Sequence, residues 1–368
     1  MAVYKIFPQK DATLYSLYPS ASTGLDEIIE ATIIPSAELL TTLPQASRFL
    51  IQFSQTEMYN VSTSLALGSS AFSASLRCFA ANVTNIGGET VIDVLAASGS
   101  WNNGTGKFGD TPQTQNGVSW VYKSSYGVNP WSVSNFIGGS TGSFQSTNPG
   151  GGTWYTSSQY NQSQTFEYPN STDINIDVTS TVNAWTTSQI NNDGFIIKQR
   201  QEFLTSSDQT QTLKFFSIDT NTIYPPCLEL KWRDYSYNKG TNPIITGDNI
   251  YVSLESNPGV FKQDSVNVFR LNVRPKFPTR QFQITPLYTN NYYLPSSSYY
   301  AIQDVDTNEY IVDFDEIFTQ VSADGTSSFF TLYMNGLEPE RYYKIVIKTS
   351  VSGNTFIVDN NNYFKIIK

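Results

Sequence analysis

The stretch from Asn175 to Trp232 constrains the fold most, because it sets a short helix among segments whose patterns suit strands. Val178, Val182 and Trp185 stand at i, i+4 and i+7. A helix opening at Thr179 therefore puts all three on one face, with Asp177 or Thr179 available to cap its amino end. Gly194 can end the following turn. Phe195-Ile196-Ile197 is too short an apolar run for a helix and suits a strand buried between two sheets. Pro225-Pro226 brings no backbone donor and stops pairing upstream, after which Cys227 to Trp232 alternate as the last strand of a sandwich.

Strand patterns of the same kind recur earlier in the chain. Asp11 to Tyr15 alternate, and Ser47 to Phe53 form a firmer strand. Ala71 to Asn82 and Glu89 to Ala97 are expected as paired strands of one sheet, each with an inner and an outer face. Leu25 to Leu43 suits a strand with an insertion, or a partly helical segment around Ser36-Ala37-Glu38-Leu39-Leu40. Long helical patterns are missing, so the class is all-β. Arg48 enters a buried run and requires either a carboxylate partner or solvent.

Charge and residue usage remove several function classes. The 368 residues hold 31 Asp and Glu against 22 Lys and Arg, a formal net charge of -9. Nucleic acid binding by phosphate neutralisation needs a clustered basic face, so no nucleic acid partner is expected. There is no histidine, which excludes Ser-His-Asp and Cys-His catalysis and HExxH zinc sites. Cys78 and Cys227 both fall in expected core strands and suit buried thiols or one inter-sheet disulfide. No apolar run approaches the length of a membrane span, and the amino terminus lacks a signal-peptide core. Synthesis in the cytoplasm without membrane insertion is the expectation.

Between Ser98 and Phe166 the texture shifts to Gly, Ser, Asn and Thr, with Trp101, Trp120, Trp131 and Trp154 among them and Pro149-Gly150-Gly151-Gly152 as breakers. Loops this long commonly make contacts. The four tryptophans are the candidate contacts to a carbohydrate or a protein partner. An indole among amides can stack on a sugar, whereas the alternative is a second layer of core beneath long loops or against a neighbouring subunit.

Arg48 to Phe53, Ala74-Ser75-Leu76, Gly99 to Asn102, Gly117 to Trp120, Asp177 to Trp185, Asn192 to Phe195 and Pro225 to Glu229 follow, in order, a known pattern. Over residues 1–235 the chain resembles DNRLRE-type domains, jelly-roll β-sandwiches related to some non-catalytic carbohydrate-binding modules. Phe216-Ser217-Ile218-Asp219 departs from the Ser-Arg-Glu-like run often found at that place.

Residues 236–248 are polar, carry Gly240, Pro243 and Gly247, and are expected to be a linker. All six tryptophans precede it. In the second domain, 249–368, Val266 to Val273 alternate as a strand. Tyr299 to Asp304 is expected to pair with Glu309 to Phe314 across a turn at Asp306-Thr307-Asn308. Leu337 to Ile347 has the form of a tyrosine corner, with Tyr343 bonding back across Pro339. The expected architecture is a jelly-roll β-sandwich followed by an immunoglobulin/fibronectin-like β-sandwich. Asp304-x-Asp306-x-Asn308 starts like a calcium loop, but Glu309 replaces the glycine of the sharp turn and Asp315 stands at the twelfth place. No metal or cofactor is expected.

Asn272 to Arg280, Asn291 to Pro295, Ser298 to Ile302 and Asn335 to Tyr343 are similar to virion structural proteins of contractile-tailed marine bacteriophages. That resemblance implies a non-enzymatic tail, baseplate or collar component, assembled in the host cytoplasm. It would dock other virion proteins and form homo-oligomers. The alternative is a carbohydrate-binding module attaching to a host surface glycan. A glycosidase would need two carboxylates across a cleft, and Asp93, Asp110, Asp173 and Asp177 suit turns, caps and solvent faces instead.

Overall fold

The computed structural model describes residues 2–35, 38, 45–64, 72–86, 90–131, 150–166, 172–200, 202, 210–247, 249–277 and 292–368. The partly helical alternative at Ser36 to Leu40 lies, except for Glu38, outside them. The chain divides into two compact units: Ile6–Gly68 with Ser73–Glu229, and Met1–Lys5 with Ser69–Phe72 and Leu230–Lys368. The described chain is nearly all β, and no described helix is long and apolar enough to cross a membrane.

Up to Trp232 the elements are β1 (Ala2–Ile6), β2 (Pro8–Tyr15), β3 (Ile28–Ile34), β4 (Gln45–Phe53), α1 (Gln55–Ser64), β5 (Phe72–Cys78), β6 (Ala80–Thr84), β7 (Thr90–Ala96), β8 (Asn161–Phe166), β9 (Ile174–Asp177), α2 (Thr179–Thr186), β10 (Phe195–Gln199), β11 (Gln211–Phe216) and β12 (Cys227–Trp232). The large sheet runs β6-β11-β3-β4-β10-β7-β8, with β2 also on β4. The smaller sheet runs β1-β12-β5-β9. Their strands within the first unit, β2 to β11 and the start of β12, form the jelly-roll β-sandwich.

The helix expected from Val178, Val182 and Trp185 is α2, and all three side chains are buried. The Asp177 carboxylate accepts the Thr179 N–H at 2.8 Å, which satisfies one of the orphan donors of the first turn. Phe195, Ile196 and Ile197 are wholly buried in β10, between β4 and β7. Gly194 has φ +87°, and a Cβ there would lie 2.2 Å from the Ile51 carbonyl oxygen, so only glycine fits.

One pairing differs from expectation. The strands at 71–82 and 89–97 do not pair in one sheet: the first is split at Phe79, β5 pairing with β9 and β6 with β11. The Asp173 carboxylate takes the Ala80 N–H at 2.8 Å, fixing the bend where the chain changes sheets. Cys78 and Cys227 are buried thiols on the neighbouring strands β5 and β12.

The second unit holds β13 (Ile250–Leu254), β14 (Val260–Lys262), β15 (Val266–Pro275), β16 (Ser298–Asp304), β17 (Tyr310–Val312), β18 (Ser322–Ala323), β19 (Ser328–Tyr333), β20 (Tyr342–Val351) and β21 (Asn354–Ile367). One sheet runs β13-β15-β19-β18 and the other β14-β21-β20-β16-β17, with β14 parallel to β21. Phe269, Leu271 and Val273 from the first meet Tyr300, Ile302, Ile345 and Ile347 from the second in one core. Tyr300 stacks on Phe330 with ring centroids 4.1 Å apart.

The Tyr343 hydroxyl donates to the Glu338 carbonyl at 3.1 Å and Leu337 is buried beside it, so the expected tyrosine corner is present and the unit is immunoglobulin-like. The calcium-like run is a turn held by protein groups. Asp304 accepts N–H bonds from Asp306 and Thr307 and a two-toothed grip from Arg341, and no metal-holding cluster occurs among the described residues. Residues 236–247, expected as a linker, are bonded into this unit. Ala323 donates to Ser236, Asn238 to Ala323 and Ile245 to Tyr293, and Ile245 is buried.

Candidate functional site

The four candidate tryptophans come together, but inward. Ala12 and Leu14 on β2, Ala46 and Leu50 on β4, Leu95 on β7 and Ile196 on β10 make an apolar floor on one face of the large sheet. The long loop lies on this floor and seats Trp101, Trp120, Trp131 and Trp154 in it, at 4%, 2%, 3% and 7% exposure. Trp101 Nε1 donates to the Asp193 carbonyl at 2.8 Å and Trp131 Nε1 to the Ser119 carbonyl at 3.0 Å. Stacking on a sugar needs an open ring face, which residues this buried do not offer. The rings are a second layer of core beneath the loop.

Arg48 organises this layer. Its Nε and Nη2 donate to the two Glu202 oxygens at 2.7 and 2.6 Å, and its Nη1 donates to the Gly151 carbonyl at 2.7 Å. The guanidinium lies 4.9 Å from the Trp120 ring centre and 5.6 Å from that of Trp154. The carboxylate that Arg48 requires is thus supplied, together with a carbonyl and two ring faces. The glycine run serves this contact, since a Cβ on Gly151 would come within 2.6 Å of Arg48 Nη1 and 2.8 Å of the Trp120 ring. Lys198, beside Glu202 and Asp93, is pushed below the ordinary lysine range by burial.

The four carboxylates weighed for glycoside hydrolysis hold local structure. Asp93 binds Arg200 at 2.6 Å, Asp110 accepts from Thr114, Asp173 from Ala80 and Asp177 from Thr179. A different carboxyl, Asp11, is strongly perturbed by burial. It alternates with Ala12 and Leu14, so it points to the opposite side of β2 and is 1% exposed. Burial raises it to about 7, against the pull of the Ile218 N–H at 2.7 Å, with Asp219 and Asp26 adding to the rise. The polar partners of that strand face, Thr13 and Tyr15, are the signal in the sequence that could have found it.

An open aromatic surface lies on the second unit. Cross-strand register sets Lys365 opposite Tyr342, Tyr363 opposite Lys344 and Gln303, and Ile357 opposite Lys348 and Tyr299, all on the outer face of one sheet. Tyr342, Tyr363 and Ile357 are 53%, 43% and 61% exposed, and Tyr310 joins the middle row opposite Gln303. Lys348 Nζ lies 5.7 Å over Tyr299 and 5.9 Å over Phe314, and Lys365 Nζ 5.8 Å over Tyr342. Exposed aromatic rings joined by lysine stems make up a surface suited to protein contact. Sequence reading missed this face because it is assembled from strands far apart in the chain.

No family model matches the chain, and no curated protein matches it. Solved structures with a weak likeness include a β-glucuronidase from Parabacteroides merdae crystallised with glycerol in its active site. Its identity is 8% and its TM-score 0.17, over 80% of this chain and 28% of that one. Another is a DUF4785 family protein from Legionella pneumophila, at 7% identity and a TM-score of 0.19, over 99% of this chain and 62% of that one. The chain spans less than two thirds of either neighbour, and scores this low carry no argument about fold or function.

Proposed function

We propose that this chain is a non-enzymatic structural protein of a tailed-bacteriophage particle, a tail, baseplate or collar component that docks other virion proteins. The observation that carries the docking role is the tyrosine and lysine face of the immunoglobulin-like sheet, where Tyr310, Tyr342, Ile357 and Tyr363 are exposed around the half-buried Tyr299 and Lys348. Aromatic side chains bring large contact area at low entropic cost, and interfaces are enriched in them. The sandwich beneath is rigidly packed and presents this face without prior ordering. The phage assignment itself rests on the resemblance of Asn272 to Arg280 and Asn335 to Tyr343 to virion proteins. Assembly takes place in the host cytoplasm, before release of the particle. Immunogold labelling of purified particles with antibody to this chain tests the reading: label at one position on the tail, baseplate or collar is expected, and unlabelled particles contradict it.

A further inference from the structure

We propose that copies of this chain associate head to tail, the lysine and tyrosine face of one copy's immunoglobulin-like sheet seating on an acidic aromatic patch of the next copy's jelly roll. The proposal rests on the reading of the chain as an assembly protein and names its first partner as a second copy.

The receiving patch surrounds Phe108, which is 47% exposed and packs on Tyr15 at 4.6 Å and Tyr18 at 5.4 Å between ring centres. Leu17 and Tyr18 are exposed beside it. Carboxylates ring this apolar centre. Asp26 accepts the Phe108 N–H at 3.0 Å, and Asp110 accepts the Lys107 N–H at 3.0 Å. The backbone of Glu27 receives the Ser217 N–H, which brings Asp219 to the same rim. Lys107, 3.5 Å from Glu27, is the cation nearest these groups among the described residues. Asp26, Glu27, Asp110 and Asp219 against Lys107 leave the patch strongly negative.

The opposing face has the complementary make-up. Lys344 and Lys365 each hold a carboxylate, Asp359 and Glu340. Lys348 makes no ion pair among the described residues and rests on rings instead. In a molecule of net charge -9 this face offers tyrosines and an uncompensated ammonium. The lysine face holds Lys344, Lys348 and Lys365 against Asp359 and Glu340, a surplus of one positive charge, and the receiving patch holds four carboxylates against Lys107, a surplus of three negative charges.

Charge sign decides the symmetry. A two-fold interface between like patches opposes Lys348 to its copy, or the surplus carboxylates of the patch to theirs, a costly arrangement. Pairing unlike patches joins different surfaces of two copies. Such a heterologous contact closes into a ring or runs on as a filament.

Sedimentation velocity of the full chain up to about 100 μM tests this. The wild type is expected to sediment faster as concentration rises, and to revert toward monomer in about 0.5 M NaCl as screening shortens the reach of the charges. Tyr342→Ala with Lys348→Ala spoils one surface, and Glu27→Gln with Asp219→Asn spoils the other. Each double variant alone is expected to associate roughly tenfold more weakly or not at all. Their equimolar mixture is expected to give a one-to-one dimer and nothing larger, because one intact surface remains on each. If a double variant fails to fold by circular dichroism, the single changes Lys348→Ala and Glu27→Gln carry the same test. A wild type that is monomeric throughout, variants that associate like the wild type, or a mixture that stays monomeric each overturn the proposal. Such failures leave the virion reading standing, whereas a self-associating chain absent from particles removes the virion reading alone.

Discussion

Arg48 and Glu202, 154 residues apart in the chain, meet through two charge-assisted hydrogen bonds of 2.7 and 2.6 Å and are both buried. The pair stands where the tryptophan-bearing loop closes on the large sheet. Taking two charges out of water is costly, and the remaining Arg48 donors recover part of that cost through the Gly151 carbonyl. Glu202→Gln is expected to destabilise the amino-terminal unit by about 3–5 kcal/mol, since it removes the carboxylate charge that the buried Arg48 grips through two nitrogens. Replacing both, as Arg48→Met with Glu202→Leu, is expected to recover most of that loss. Urea unfolding followed by tryptophan fluorescence checks both.

Gly151→Ala is expected to destabilise the same unit by about 2 kcal/mol or more, because φ is +78° there and the added carbon meets Arg48 and Trp120. The change should also raise acrylamide quenching of tryptophan. In the wild type the four loop indoles are expected to resist quenching, and added glycan is expected to change nothing.

Asp11 makes stability depend on pH in a stated direction. Its carboxyl is raised to about 7 in the folded chain, above its ordinary value of 3.8, so the folded state holds a proton that the unfolded state releases. The stabilisation is full below the ordinary value and is lost as pH rises through the folded value. Between pH 5 and pH 8 the loss from this group is on the order of 2–3 kcal/mol. Asp11→Asn, which keeps an acceptor for the Ile218 N–H, is expected to flatten the profile over that window. Denaturant unfolding of both proteins at the two pH values checks it.

Tyr343→Phe removes the hydroxyl that donates to the Glu338 carbonyl. A loss of about 1–2 kcal/mol in the immunoglobulin-like unit is expected. Faster hydrogen exchange at the β20 amides is the readout.

What could be seen in the sequence was local. Val178, Val182 and Trp185 declared α2, and Phe195 to Ile197 declared a buried strand, because each signal lies within one element. The tyrosine corner was visible for the same reason. Helix α1 was missed because little more than Met58 and Val61 is buried on it, although Ser54-x-x-Glu57 is a capping signature and Ser54 Oγ does accept the Glu57 N–H. The alternation at Cys227 to Trp232 hid that Glu229 is buried, facing Arg77 at 3.6 Å on another strand. Arg48 announced its need for a carboxylate, but which one depended on closing a loop of more than a hundred residues. The tryptophans were visible as a group, and their inward orientation was set by a floor drawn from four strands.

The central claim is that this chain is a part of the particle. Quantitative mass spectrometry of purified phage, counting this chain against the major capsid protein, tests it most directly. The expected result is a fixed, low stoichiometry, with a multiple of six placing the chain in the tail or baseplate. Its absence from particles, with the chain abundant in the same lysate, would contradict the account.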